Sequence, residues 1–209
     1  MVRLLLATRN AHKTREFAEI LGKDFAVSDL SSVRGAREIK ETGGSFEENA
    51  ILKALAVSQL RSASDGLVVA DDSGLEVDAL KGAPGIYSAR YAGENASDEA
   101  NVEKLLRELS RQNLPPASKR TARFRCVIAL ARAGKLLGTF EGTVDGVIVD
   151  LARGRNGFGY DPIFVPEGFD RTFAELSTEI KNKISHRAKA ITRLREALRS
   201  NRSYAEGTN

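Results

Sequence analysis

Apolar and polar positions alternate along the chain in two rhythms, one suited to buried strands and one to amphipathic helices. Val2-Arg3-Leu4-Leu5-Leu6-Ala7 is a short apolar run that predicts a strand, broken by Thr8-Arg9-Asn10. Phe17, Ile20 and Leu21 then recur at helical spacing, so a helix is expected over 11–22. A second helix starts near Ser45, because Ser45-Phe46-Glu47-Glu48 has the capping-box form, in which Ser accepts an amide and Glu reaches back to the cap. Its apolar face is Phe46, Ala50, Ala54, Val57 and Leu60. Leu67-Val68-Val69-Ala70 reads as a strand ending in a turn at Asp71-Asp72-Ser73-Gly74, with Leu75 to Leu80 as a further strand.

Ser97-Asp98-Glu99 opens a third helix with Val102, Leu105, Leu106 and Leu109 on one face, and Pro115-Pro116 closes that region. Residues 122–131 and 135–142 form two strands around the hairpin Arg132-Ala133-Gly134. Val144 to Val149 is another strand, set off by Gly142 and Gly146. A last helix over 182–199 turns Ile184, Ala188, Ile191, Leu194 and Leu198 inward. Strands interleaved with helices give an α/β chain, expected as one domain over 1–200 followed by a frayed polar tail, 201–209. No repeat, low-complexity tract or linker demands two independent domains.

Composition narrows the function classes. The 209 residues are 42% hydrophobic and 29% charged, enough to bury a core and unlike a disordered chain. No apolar run approaches the roughly 18 residues of a membrane span, and Met1 leads straight into a strand without a secretory pattern. A cytoplasmic location with no membrane partner is the expectation. Cys126, the lone cysteine, excludes an internal disulfide and a cysteine-built metal cage, and its apolar surroundings read as core rather than nucleophile. His12 and His186, the only two histidines, exclude a histidine-rich metal site. A net charge of +4 suits a nucleic-acid binder, a binder of small polyanions, or merely a solubilising surface.

Four segments concentrate polar groups at element ends. Thr8-Arg9-Asn10-Ala11-His12-Lys13 lies between a strand and a helix, where free amides and Lys13 attract phosphate, although the Walker A spacing is absent. Asp71-Asp72-Ser73-Gly74 follows an apolar strand; its acids either bind a hard divalent cation or cap amides in a turn. In an extended chain the two acids point to opposite sides, so one alone enters a site. Glu41, before Thr42-Gly43-Gly44, is a second carboxylate or a solvated loop acid. Gly157-Phe158-Gly159-Tyr160-Asp161-Pro162 offers close backbone approach and aromatic faces for a base, or is a plain turn beside core aromatics. Lys181 and Ser185-His186-Arg187 supply donors for base edges or phosphates, or are ordinary helix cations.

In this order the segments resemble the inosine triphosphate pyrophosphatase family, the non-canonical purine nucleoside triphosphate pyrophosphatases. The resemblance runs from Leu4 to about Leu198 and includes Phe46-Glu47-Glu48-Asn49-Ala50-Ile51-Leu52-Lys53-Ala54 and Gly82-Ala83-Pro84-Gly85-Ile86-Tyr87-Ser88-Ala89-Arg90-Tyr91. It implies an elongated two-lobed α/β fold around a long mixed sheet, with a central nucleotide-binding cleft. It also implies a cytoplasmic homodimer that hydrolyses dITP, ITP, XTP or dXTP to the monophosphate and pyrophosphate with Mg²⁺.

By the same resemblance Asp72 is the proton acceptor and a metal ligand, and Glu41 a second metal carboxylate. Thr8, Arg9, Asn10, Ala11, His12, Lys13, Lys53 and Ser73 surround the triphosphate. Phe158, Gly159, Tyr160, Asp161, Lys181, His186 and Arg187 line the nucleoside. Arg9 departs from the family, where glycine is frequent. The charged residues from 98 to 120 carry no chemistry that the resemblance identifies. Two rivals remain: a related pyrophosphatase for pyrimidine or methylated nucleotides, and a non-enzymatic nucleic-acid-binding domain. Basic positions alternating with acids argue against the second, and no stable nucleic-acid partner is expected.

Overall fold

The computed structural model describes residues 1–35, 39–60, 66–112 and 120–200. Pro115-Pro116 and the tail 201–209 lie outside these described residues. The elements are β1 (Val2–Leu6), α1 (Ala11–Leu21), β2 (Phe25–Asp29), α2 (Phe46–Ser58), β3 (Leu67–Val77) and α3 (Asp98–Ser110). They continue with β4 (Thr121–Arg132), β5 (Lys135–Ile148), β6 (Phe164–Pro166), α4 (Thr178–Ile184) and α5 (His186–Ser200). The strands form a six-stranded sheet in the order β2-β1-β3-β4-β5-β6. β1 runs parallel to β2 and β3, with Leu4 opposite Val27 and Leu67, whereas β5 and β6 are antiparallel. The fold is mixed α/β, as the interleaved rhythms predict.

The chain divides into two compact units. The first comprises the described residues within Met1–Asp72, Cys126–Gly142 and Arg187–Asn209. Its core joins Leu4 and Leu6 of β1, Phe17 and Leu21 of α1, Leu67 and Val69 of β3, Cys126, Ile128 and Leu130 of β4, and Ile191, Leu194 and Leu198 of α5. The strand members sit two apart and the helical members three or four apart, the spacings that put side chains on one face. The second unit comprises Ser73–Arg125 and Thr143–His186, within the described residues. Its core gathers Leu75 and Val77, Val102, Leu105 and Leu109 of α3, and an aromatic set in which Phe124 meets Phe164 edge-on at 4.7 Å.

Several boundaries differ from the pattern reading. β3 does not turn at Asp71-Asp72-Ser73-Gly74 but continues to Val77, because the two acids are compensated by cations and need not reach water. Asp78–Leu80 is a single 3-10 turn rather than strand. β5 runs unbroken through Gly142 and Gly146; a Cβ at Gly146 would lie 2.3 Å from the Val165 carbonyl oxygen, so that glycine permits close approach of β6 instead of ending a strand. The last helix is two helices, parted at Ser185, whose φ of −66° and ψ of 158° are extended and not helical. Ser45 caps α2 as expected through Glu48 N–H, but the Glu48 carboxylate reaches Gly44 N–H rather than the cap residue's own amide.

Candidate active site

Within the first unit, extended backbone at 71–72 sends adjacent carboxylates to opposite faces, and each meets a different partner set. Asp71 Oδ1 accepts from Lys13 Nζ at 3.0 Å and its Oδ2 from Arg187 Nε at 3.2 Å. Arg187 also donates through Nη1 to Glu16 Oε2 at 2.6 Å. Asp72 Oδ2 accepts from Asn49 Nδ2 at 3.1 Å and Oδ1 from Lys53 Nζ at 3.3 Å. The same Lys53 ammonium donates to Glu41 Oε1 at 2.7 Å. Thus Glu41 and Asp72, far apart in sequence, share one cation.

The electrostatics separate the two aspartates. Burial alone would raise Asp71, but Lys13, Arg187 and Lys53 overcome it and hold its carboxyl well below the usual range. Burial raises Asp72 and prevails over Lys53, with the Glu41 charge pushing the same way. Lys53 shows the counterpart: burial works against its charge, yet Asp72, Glu41 and Asp71 together raise it. Arg187 is raised as well, since Glu16 and Asp71 outweigh its burial.

The strand-to-helix turn uses its amides differently from expectation. Asn10 Oδ1 accepts from His12 N–H at 2.9 Å and Lys13 N–H at 3.2 Å, so it caps α1. Thr8 Oγ1 accepts from Asn10 N–H at 3.1 Å. Three amides of the turn, those of Asn10, His12 and Lys13, are therefore engaged by its own side chains. Arg9, Asn10, Ala11 and His12 are exposed, and Thr8 and Lys13 are half-buried.

In the second unit, Asp161 organises the glycine-rich loop. Its Oδ2 accepts from Phe158 N–H at 2.9 Å and from Lys181 Nζ at 2.6 Å. The Lys181 ammonium lies 4.9 Å from the Phe158 ring centroid, a cation–π contact. Gly157, with φ of 78°, is where a Cβ would come within 2.0 Å of that carboxylate oxygen. Gly159 N–H donates to Asp98 Oδ2 at 2.6 Å. Tyr160 is buried, packs in the core of this unit, and donates its hydroxyl to the Ser88 carbonyl at 2.9 Å. Ser73 is half-buried on β3, and His186 is buried, stacked on Phe124 at 4.7 Å. Of the donors nominated for a base edge, Arg187 gives Nε and Nη1 to acids, and the Phe158 and Gly159 amides bond to Asp161 and Asp98.

The Ham1 family profile matches residues 4–197. The chain belongs to the Ham1 family. It is 49% identical to the dITP/XTP pyrophosphatase of Bacillus subtilis over 95% of this chain and 98% of that protein. The Staphylococcus aureus Ham1 protein superposes with a TM-score of 0.81 at 46% identity, covering 95% of this chain and 98% of the other. A HAM1 protein from Coxiella burnetii gives 0.84 at 38% identity, covering 96% and 100%.

Pattern reading of this Ham1-family chain missed three side chains that shape the site: Asn49, Glu16 and Asp98. Asn49 had a detectable signal. It and Lys53 fall on the buried stripe of α2 with Phe46, Ala50, Ala54 and Val57, and a polar residue on such a stripe requires a partner. Asp98 offered only the ordinary signature of an acid in a first helical turn, and Glu16 none. Among the described residues no group of three or more His, Cys, Asp and Glu side chains is assembled to hold a metal. Two carboxylates such as Glu41 and Asp72 are chemically compatible with a hard divalent cation, which can complete its coordination with water and phosphate oxygens.

Proposed function

We propose that this chain hydrolyses non-canonical purine nucleoside triphosphates, dITP and ITP or XTP and dXTP, to the monophosphate and pyrophosphate. The observation that carries the reading is the pair Glu41 and Asp72 on one Lys53 ammonium, with Asp72 raised by burial, in a chain 49% identical to a protein named a dITP/XTP pyrophosphatase. A carboxylate with elevated basicity is suited to accept a proton from attacking water. Mg²⁺, held by Glu41 and Asp72, would neutralise phosphate oxygens and favour the departure of pyrophosphate. Lys53 and Lys13 supply positive charge toward the polyphosphate, and Asp71 fixes Lys13 through its ion pair. Asp72, oriented by Asn49, takes the proton.

Base choice falls to Phe158, Lys181 and His186. Phe158, half-buried and faced by Lys181, provides an aromatic surface, and His186 a donor for the 6-oxo group of a deaminated purine. An adenine amino group leaves such a donor unmatched, at about 1–3 kcal/mol per buried group. Ser73 and the turn Thr8–Lys13 complete the substrate contacts that the family resemblance implies. The same reading includes a cytoplasmic homodimer; among the described residues no helix is long and apolar enough to cross a membrane.

The test is pyrophosphate release from ITP, XTP, GTP and ATP with and without Mg²⁺, by the wild type and by Asp72→Asn. Mg²⁺-dependent release from ITP and XTP, far faster than from ATP and lost in a folded Asp72→Asn, is expected. Equal rates for ATP and ITP would remove the base-selection argument, and near-native turnover by Asp72→Asn would remove the proton acceptor.

A further inference from the structure

The geometry points to Asn49 as a positioning residue: its single side-chain amide holds the Asp72 carboxylate and the loop carrying Glu41 in one fixed arrangement. The inference rests on the role proposed for Asp72 and extends it to a side chain with no reacting atom.

Asn49 is fully buried, and both ends of its amide are used. Oδ1 accepts from Gly43 N–H at 2.8 Å, and Nδ2 donates to Asp72 Oδ2 at 3.1 Å. Gly43 stands two residues beyond Glu41, so the first bond anchors the loop on which the second carboxylate is carried. That anchorage is close: a Cβ at Gly43 would lie 2.8 Å from Asn49 Oδ1 and 2.7 Å from Glu48 Cβ. Glu48 ties the next residue as well, through Gly44 N–H at 2.7 Å. One helical turn on from Asn49, Lys53 takes the other oxygen of Asp72 and also Glu41. Helix α2 therefore grips both carboxylates from neighbouring positions of a single stripe.

The two grips differ in kind. Lys53 neutralises as it holds, which lowers the affinity of a carboxylate for protons. An amide N–H orients a carboxylate without contributing a full charge, so it fixes the direction of the oxygen at a smaller cost in basicity. A leucine at this position has nearly the shape of asparagine but neither bond, leaving Asp72 Oδ2 to rotate and the Glu41 loop to loosen.

The experiment compares Asn49→Leu, Asp72→Asn and the double variant in steady-state pyrophosphate release from XTP, together with amide hydrogen exchange at Gly43. Asn49→Leu is expected to lower kcat by about 10- to 100-fold, the range for lost supporting hydrogen bonds around a reactive centre, while KM stays within a factor of about three. In the Asp72→Asn background the same substitution should cost clearly less than in the wild type, since only its hold on the Glu41 loop is then left to lose. Gly43 exchange should accelerate at least tenfold in Asn49→Leu.

Losses that multiply in the double variant, an unchanged kcat, or unchanged Gly43 exchange would each overturn the assignment. Should Asn49→Leu fail to fold, Asn49→Ser is read by the same cycle and the same exchange measurement. Wild-type turnover in Asp72→Asn would sink the proton-acceptor role itself, a result distinct from a failed Asn49 cycle.

Discussion

Replacing Asp71 with asparagine tests the charge arrangement beneath the site. The side chain is buried and accepts from Lys13 at 3.0 Å and Arg187 at 3.2 Å. Asparagine preserves the shape and one acceptor but removes the charge that both cations face. Arg187 retains Glu16 at 2.6 Å, so the loss is partial. Breaking a buried pair outright costs about 3–5 kcal/mol; with Glu16 still in place, the lower end, about 3 kcal/mol, applies here. For a chain of this size each kcal/mol moves the melting temperature by about 2–4 °C, giving a fall of about 6–12 °C at pH 7.

The pH dependence has a definite sign. The Asp71 carboxyl is depressed in the fold, so its contribution is complete above the unfolded value of about 3.9. It is lost as pH falls from there through the folded value. The gap between wild type and Asp71→Asn should stay constant from pH 8 to 5 and narrow below about pH 4. Circular dichroism melts across that range measure it. Equal melting temperatures at pH 7, or a gap that widens in acid, would refute the ion-pair accounting.

Two further substitutions separate the glycine-rich loop from the core beneath it. Gly157→Ala places a Cβ on the Asp161 carboxylate in a left-handed backbone, at about 1–2 kcal/mol for the conformation alone. Steady-state kinetics should show KM for XTP raised at least tenfold with a smaller change in kcat, and an unchanged KM would contradict a nucleoside role for the loop. Tyr160→Phe removes the hydroxyl bonded to the Ser88 carbonyl and should cost about 1–3 kcal/mol in a urea melt. Because Tyr160 is a core residue, XTP turnover should stay within about twofold of wild type; a large catalytic loss with unchanged stability would return Tyr160 to the substrate.

The elements were legible where one side chain per turn or per pleat decided the pattern. α1, α2 and α3 begin at Asn10, Ser45 and Ser97, each accepting a backbone amide as its residue type predicts. Periodicity failed where tertiary chemistry overruled local signs. Adjacent acids ordinarily mark a turn, but at 71–72 buried cations keep them within a strand. Gly146 ordinarily marks a break, but it admits the Val165 carbonyl. The stretch 182–199 reads as one helix, yet Ser185 is extended and parts α4 from α5. The candidate site was legible as residue types and their order. Which donor was already engaged was not, because Arg187 bonding Asp71 and Asp98 bonding Gly159 are partnerships between positions far apart in sequence.

That limit bears directly on the choice between Asp71 and Asp72. By residue pattern alone they are equivalent carboxylates facing opposite ways, and only the family resemblance prefers Asp72. The charges around each differ. Asp71 contacts two cations, Lys13 and Arg187, and is drawn below the ordinary carboxylate range despite complete burial. Asp72 contacts a neutral amide and one ammonium that it shares with Glu41, whose like charge works against ionisation. Burial then prevails and raises it. Of the adjacent pair, Asp72 is thus the stronger base and Asp71 the firmer counter-charge. Exchanging their roles would require moving a cation from one face of β3 to the other.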